Sequence, residues 1–285
     1  MLDIHSHVIS KDTERYPIAP LGGERSTWSQ ERPADEEDLL AQMDEAGIGK
    51  AAVVQSATTY GNDNSYLADV VDAHRDRLVG VCTVDFVATD AVDRLRYWLE
   101  ERRLGGVRLF TSGSTMTAQS GWMNSAEADP AWEYLSQTRF PVCVQMRPQG
   151  IPLLRDVLAR YASLVVIVDN AARVELSGGP PYPAAQPLFD LAAAGDVYVK
   201  VTTNTLRRAE KETGGAAGFM RSLIGAFGSG RVAWGSDYPA MAGSMTEFVA
   251  LARASVAGLP EPDQGNFLEK TAAGLYPALT GSATG

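Results

Sequence analysis

The stretch Leu164-Val-Val-Ile-Val-Asp-Asn170 places five consecutive apolar residues before two polar ones. A strand that is buried on both faces is continuously apolar, whereas a strand with one face in water alternates apolar and polar residues. The stretch therefore predicts a strand of a parallel sheet that is covered on both sides. It also predicts that Asp169 and Asn170 stand at the carboxyl end of that strand.

Runs of this kind recur along the 285-residue chain, and patterns with helical spacing separate them. The eight runs that we predict as strands are Met1–His5, Ala51–Gln55, Val79–Val84, Gly106–Phe110, Val142–Met146, Leu164–Val168, Val197–Val201 and Arg231–Trp234. The patterns that we predict as helices are Ala34–Ala46, Asn64–His74, Thr89–Arg103, Pro130–Thr138, Ile151–Tyr161, Ala184–Ala194, Ala216–Phe227, Met245–Val256 and Gln264–Tyr276. Asp35 lies near the start of the first helix and Gly47 just past its end, as start and stop signals do.

The alternation of strand and helix requires each strand to cross over to a parallel neighbour. Eight such units are the number that closes a (β/α)8 barrel, so we predict an α/β protein with a single TIM-barrel domain over residues 1–285. An open doubly wound sheet is the alternative. No G-x-G-x-x-G or G-x-x-x-x-G-K-[ST] motif follows any predicted strand, which disfavours that alternative.

Composition and charge narrow the classes of partner. The net charge is −10 and no basic run exceeds two residues, so nucleic acid and anionic membranes are poor partners. No apolar stretch approaches the length of a membrane span, and no secretory signal opens the chain. Cys82 and Cys143 lie in apolar runs and are predicted as buried thiols without a disulfide, which favours a cytoplasmic location. We expect a small-molecule substrate, and the question whether the protein forms a homo-oligomer stays open.

Each of the eight predicted strands carries polar residues or is followed by them, near the end at which a barrel of this kind assembles its site. They are His5, His7, Gln55, Ser56, Asp85, Arg108, Gln145, Arg147, Asp169, Asn170, Lys200, Thr202, Thr203, Ser236 and Asp237, with Tyr238 next in the chain. We predict substrate contacts from Ser56, Arg108, Gln145, Arg147, Asn170 and Tyr238.

The first strand carries two of the three histidines in the chain, at His5 and His7. Residues two apart on a strand share a face, so both imidazoles point at one place. In a closed barrel the last strand adjoins the first, which brings the Asp237 carboxylate beside them. Two imidazoles and a carboxylate suit an open metal site with three protein ligands. The alternative is that His5 and His7 only cap the end of the barrel by hydrogen bonding.

Three cations are predicted near the same face of an acidic protein. Arginine pairs bidentately with carboxylates and with sulfonates of similar geometry, which suits Arg108 and Arg147 to an anionic substrate. For Lys200, and as an alternative for Arg108, we weigh a buried barrel residue paired with Asp85 or Asp169. For Lys200 this structural role is the favoured one.

Three motifs, Asp3-Ile-His-Ser-His7, Gly106-Val-Arg-Leu-Phe110 and Trp234-Gly-Ser-Asp-Tyr-Pro239, resemble those of the amidohydrolase superfamily. The closer likeness is to its amidohydrolase-related branch, which holds lactonases for pyrone dicarboxylates and sugars, and also decarboxylases. The resemblance implies a (β/α)8 barrel and hydrolysis by an activated water. It implies His5 and His7 as the first-strand pair, Asp237 as the base toward water, and Arg108 as a contact of substrate carboxylate.

The sequence departs from this pattern at two strand ends where the family often has histidine. Gln145 and Asn170 stand there instead, and amide oxygens are poor zinc ligands. We therefore predict at most one divalent ion, Zn²⁺ or Mn²⁺, held by His5, His7 and Asp237. Catalysis without metal, with the carbonyl polarised by the imidazoles, is a near-equal alternative.

The predicted function is the hydrolysis of a small, anionic lactone, resembling a muconolactone or a pyrone dicarboxylate from the breakdown of aromatic compounds. A lactone is an activated ester and needs less Lewis-acid help than an amide. Two alternatives remain: a metal-dependent decarboxylase or hydratase of the same branch, and a barrel that binds a ligand without turnover.

Overall fold

Eight parallel strands, each followed by helical segments, form a (β/α)8 barrel in the computed structural model, which describes residues 1–111 and 120–280. The strands are β1 Leu2–Ser6, β2 Lys50–Val54, β3 Leu78–Thr83, β4 Gly106–Phe110, β5 Val142–Gln145, β6 Val165–Val168, β7 Asp196–Thr202 and β8 Val232–Gly235. They pair in sequence order, and every predicted strand matches one of them to within one residue at each end. The predicted barrel is confirmed; its extent as one domain over residues 1–285 stays a prediction, since residues 112–119 and 281–285 lie outside the described part.

Backbone hydrogen bonds join the last strand end to the first and close the barrel. Asp237 N donates to His5 O at 2.7 Å, and His7 N donates to Tyr238 O at 2.7 Å. The β1–β2 pairing is irregular between Asp3 and Ser6. The residues after β8 therefore lie beside the histidines of β1, as the sequence predicts.

The helices cover the outside of the barrel. They are α1 Thr27–Glu31, α2 Glu36–Ala46, α3 Ala57–Tyr60, α4 Ser65–Ala73, α5 Ala91–Arg96, α6 Asp129–Thr138, α7 Ile151–Arg160, α8 Gln186–Phe189, α9 Thr203–Ala209, α10 Gly215–Phe227, α11 Met245–Val256, α12 Glu261–Gly265 and α13 Thr271–Leu275. Turns of π-helix, Tyr97–Glu101 and Asn266–Lys270, extend α5 and link α12 to α13. Every predicted helix corresponds to observed helical structure. The sequence patterns do not predict the short helices α1, α3 and α9, which lie in the loops after strands.

Local signals at the helix ends act as the sequence indicates. Asp35 accepts a hydrogen bond from Asp38 N at 3.0 Å, and Asp38 accepts one from Asp35 N at 3.3 Å, which is a capping box. Gly47 ends α2 with a φ of 69°, a left-handed conformation that glycine adopts without steric cost.

The core has an outer layer between strands and helices and an inner one within the barrel. Side chains alternate along each strand, so Ala52, Val54, Val79, Val81 and Ile167 pack together with the segment after α12. Cys82 and Cys143 are buried free thiols, as predicted. No helix within the described ranges is both long and apolar enough to span a bilayer.

Candidate active site

His5, His7 and Asp237 meet at the carboxyl end of the barrel. The two Nε2 atoms lie 3.0 Å apart, and Asp237 Oδ1 lies 3.5 Å from His5 Nε2 and 3.7 Å from His7 Nε2. Each of the three residues offers one possible ligand atom, and these three atoms lie within 4.8 Å of one another. The fold thus brings together the three side chains that the sequence nominates as metal ligands and catalytic residues.

The ring nitrogens of both histidines have defined surroundings. His7 Nδ1 lies 2.7 Å from Val54 O, and since a carbonyl oxygen only accepts, Nδ1 carries the proton and a neutral ring offers its Nε2 lone pair. His5 Nδ1 faces Asp169 Oδ1 at 3.5 Å. Burial, aided by the nearby Lys200 charge, lowers the pKa of His5 to about 3, so its ring is neutral at neutral pH. The two Nε2 atoms lie within hydrogen-bond distance of each other, and both face the Asp237 carboxylate.

Asp169 sits beneath this pair and is fully buried between two cations. Arg108 donates to Asp169 Oδ2 through Nε at 3.0 Å and Nη2 at 2.6 Å, and Lys200 Nζ lies 3.1 Å from Oδ1. Burial alone would raise the pKa of Asp169, but Arg108 and Lys200 outweigh it and hold that pKa well below its usual value. The pairing weighed for Lys200 and Arg108 is thus confirmed with Asp169, while Asp85 is exposed.

Asp237 has an unusual backbone conformation, with a φ of 60°. Aspartate is among the few residues that adopt left-handed geometry at modest cost. Hydrogen bonds from Asp237 N to His5 O and from Met241 N to Asp237 O hold it there, at 2.7 and 2.9 Å. Burial alone would raise the pKa of Asp237, but contacts with His7 and His5 outweigh it, so the carboxylate is ionised at neutral pH.

Asp3 and Gly235 determine how β1 meets β8. Asp3 accepts hydrogen bonds from Ser236 Oγ at 2.6 Å, from Ser236 N at 2.8 Å and from His5 N at 2.8 Å. A Cβ on Gly235 would lie 2.6 Å from His5 Cβ, so only glycine lets the strands approach this closely. These residues position His5 without lining the cavity, and neither is among the predicted site residues.

Above the triad lies a cavity of about 190 Å³, which we call the catalytic cavity. Its wall includes six of the predicted site residues, which are His7, Ser56, Arg108, Gln145, Asn170 and Asp237. Gln145 lines the cavity, and its Oε1 is buried with no hydrogen-bond partner among the described residues. Asn170 Oδ1, by contrast, accepts from Thr202 Oγ1.

Three predicted residues stand apart from this wall. His5 is fully buried behind it. Tyr238 is half-buried and contributes its backbone to barrel closure. Arg147 is exposed and is not among the residues that line the catalytic cavity, so its predicted contact with substrate stays untested.

Several residues of the cavity wall are not among the predicted site residues, and Trp28 and Arg173 are two of them. Trp28, on α1, stacks on His7 with ring centroids 5.3 Å apart. Arg173 lines the cavity, and its Nε is buried without a hydrogen-bond partner among the described residues. It ends a left-handed turn in which residues 170–173 all have φ between 48° and 52°. Its place four residues past Asp169 in the loop after β6 is the one signal that could have indicated it.

Comparisons with known proteins identify the family of this chain and agree with its fold. The model of the family described as amidohydrolase matches residues 2–278. L-fucono-1,5-lactonase of Burkholderia ambifaria is 26% identical over 215 residues, which cover 73% of this chain and 69% of the relative. 4-Sulfomuconolactone hydrolase of Rhizobium radiobacter is 24% identical over 238 residues, covering 83% and 75%. The crystal structure of a Burkholderia multivorans amidohydrolase with bound zinc superposes with a TM-score of 0.77 at 20% identity, covering 97% and 98%.

Proposed function

This chain belongs to the amidohydrolase family, and we propose that it hydrolyses a small anionic lactone with Asp237 as the general base toward water. The observation that carries the proposal is the Asp237 carboxylate, which lines a cavity that also holds arginine and lies beside the imidazoles of His5 and His7. Two relatives named for lactone hydrolysis support a lactone as the substrate.

Asp237 is suited to accept the proton of the attacking water. Its side chain is 14% exposed and so can be reached from the cavity. Oδ1 faces the two Nε2 atoms, and we assign the proton to Oδ2. Water oxygen then bonds to the lactone carbonyl carbon, the ring C–O bond breaks, and the protonated carboxyl returns its proton to the departing ring oxygen. The product is the open hydroxy acid.

The donor set also fits one divalent ion. The Nδ1 atoms of His5 and His7 face Asp169 and a backbone carbonyl, an arrangement that orients imidazole ligands in metal sites. Two nitrogens and a carboxylate suit Zn²⁺, and Mn²⁺ is the second choice. When bound, such an ion polarises a carbonyl oxygen and lowers the pKa of bound water. The alternative is catalysis without metal, in which His5, His7 and neighbouring amides polarise the lactone carbonyl.

Residues of the cavity wall would bind the acid group of the substrate. We assign the substrate's acid group to Arg173 and Arg108, of which Arg108 is already bonded to Asp169. Gln145, Asn170 and Ser56 supply polar atoms around the ring. We retain the predicted contact of Arg147 with the substrate as part of this proposal.

A panel of anionic and neutral lactones, assayed with wild-type protein and Asp237→Asn, tests the proposal. Asparagine tolerates the left-handed backbone and keeps the side-chain shape, so the variant should melt near the wild-type temperature. It cannot take the water proton, and kcat should fall about 10²- to 10⁴-fold.

Two results count against the proposal. Near wild-type kcat in Asp237→Asn removes Asp237 from the mechanism. Wild-type protein that hydrolyses no lactone of the panel, with Zn²⁺ and Mn²⁺ supplied, contradicts lactonase activity itself.

A further inference from the structure

Beside the catalytic cavity lies a second cavity of about 350 Å³, which we call the apolar cavity. Most of its wall is apolar, with Leu21, Val84, Phe86, Val87, Phe110 and Trp122. Its volume lies within the range of about 300–1,000 Å³ that is typical of small-molecule sites. We propose that this cavity binds an aromatic or branched alkyl substituent of the substrate.

The two cavities adjoin each other. Arg108 and Phe110 line both of them, and the Arg108 guanidinium lies over the Phe110 ring at 4.5 Å from its centroid. A ligand whose anion contacts Arg108 in the catalytic cavity can thus extend past Phe110 into the apolar cavity. This inference rests on the proposed function only for the anionic end of the substrate.

Three of the four polar residues of the apolar cavity, Thr83, Asp85 and Arg108, make hydrogen bonds within the protein. Thr83 Oγ1 donates to Gly61 O at 2.9 Å, and Asp85 Oδ1 accepts from Val87 N at 3.1 Å. A hydroxyl-rich ligand would therefore find few partners there, whereas apolar surface leaves water at a gain. Val87 at this wall is 39% exposed, which is unusual for a large apolar side chain in this protein and is consistent with a surface that a ligand covers.

An aromatic cluster fixes the wall before any ligand arrives. Trp122 stacks on Trp132 with centroids 6.3 Å apart, and Phe86 meets them edge-on at 5.7 and 4.9 Å. Trp132 is buried, and its Nε1 donates to Met123 O at 3.0 Å. These ring distances are those that aromatic pairs prefer, and a preformed wall lowers the entropic cost of binding. The substrate class that follows is an amphipathic lactone acid with an aryl or branched alkyl group.

Calorimetric titration of wild-type protein with butanoate and with 4-phenylbutanoate tests this inference. The two acids share a carboxylate and differ in the phenyl group, so we expect 4-phenylbutanoate to bind about 10- to 100-fold more tightly. The titration needs no turnover. A protein that fails to hydrolyse lactones but shows this preference would contradict the proposed function and leave the apolar cavity supported.

Variants locate the binding site. Trp122→Ala removes part of the wall and Val87→Trp fills space at a half-exposed position, so each should weaken binding of 4-phenylbutanoate several-fold while binding of butanoate changes little. Tyr97→Trp is the control, since Tyr97 is 41% exposed and lines neither cavity. Melting temperatures verify that each variant folds. Equal affinities for the two acids, binding of neither, or a phenyl preference that survives in both wall variants would overturn the proposal.

Discussion

The Arg173 side chain is the cation of the catalytic cavity with a buried nitrogen left unsatisfied by the described residues. Removing a bidentate cation from a partly desolvated site typically costs about 2–5 kcal/mol. Arg173→Met should therefore lower kcat/KM for an anionic lactone by about 30-fold to several thousand-fold. A neutral analogue of the same lactone never makes the contact and should lose much less.

Arg147→Met is the matched comparison, because it makes the same change at an exposed position. If Arg147 contacts substrate, as the sequence predicts, its variant should discriminate between the anionic and neutral lactones in the same way. If Arg147→Met discriminates and Arg173→Met does not, the anion-binding role belongs to Arg147. Equal responses of the two lactones to both changes would leave the acid group to Arg108 alone.

The approach of β8 to β1 depends on the missing side chain of Gly235. Gly235→Ala would place a methyl group 2.6 Å from His5 Cβ and 3.1 Å from His5 N, so β1 must move. We expect the free energy of unfolding to fall by about 1–3 kcal/mol, as overpacking does. We also expect kcat/KM to fall, because the displaced strand carries His5. Urea unfolding and steady-state kinetics measure the two effects.

Gly225→Ala is the control for that substitution. Gly225 lies within α10, is exposed, and would meet nothing within 4 Å of a new Cβ. Alanine loses less backbone entropy in a helix, so this variant should gain about 0.5–1 kcal/mol and keep its activity. Full activity and stability in Gly235→Ala would show that the strands tolerate separation.

Over the whole molecule, the small number of histidine and cysteine side chains limits how many metal ions the protein can bind. The chain has three histidines and two cysteines. His74 ends α4, and both thiols are buried in strands. We expect metal analysis to find at most one ion per chain, and activity lost to EDTA should return with Zn²⁺ or Mn²⁺.

Two variants test where that ion binds. His7→Ala should lose it, while His74→Ala should retain it, because His74 lies at a helix end and is not one of the three clustered ligands. Two ions per chain, or a carboxylated lysine bridging them, would contradict the prediction. Full activity in metal-free protein would decide for the metal-independent mechanism.

The sequence by itself determined the architecture and the convergence of His5, His7 and Asp237. Apolar runs and helical spacing are local patterns that report burial, and β5 and α11 lie where those patterns place them. Eight such units allow few arrangements other than a closed barrel, and closure dictates that the eighth strand meets the first.

Tertiary structure decided between the charge pairs that the sequence left open, and it decided which side chains reach the cavity. Asp169 could have bound substrate, yet Arg108 and Lys200 from other strands engage it beneath His5. Arg173 reaches the cavity because residues 170–173 adopt left-handed geometry. Alanine, which stands at positions 171 and 172, does not predict that conformation. Contacts between distant segments impose these conformations against local preference, and a periodic pattern in the sequence carries no information about such contacts.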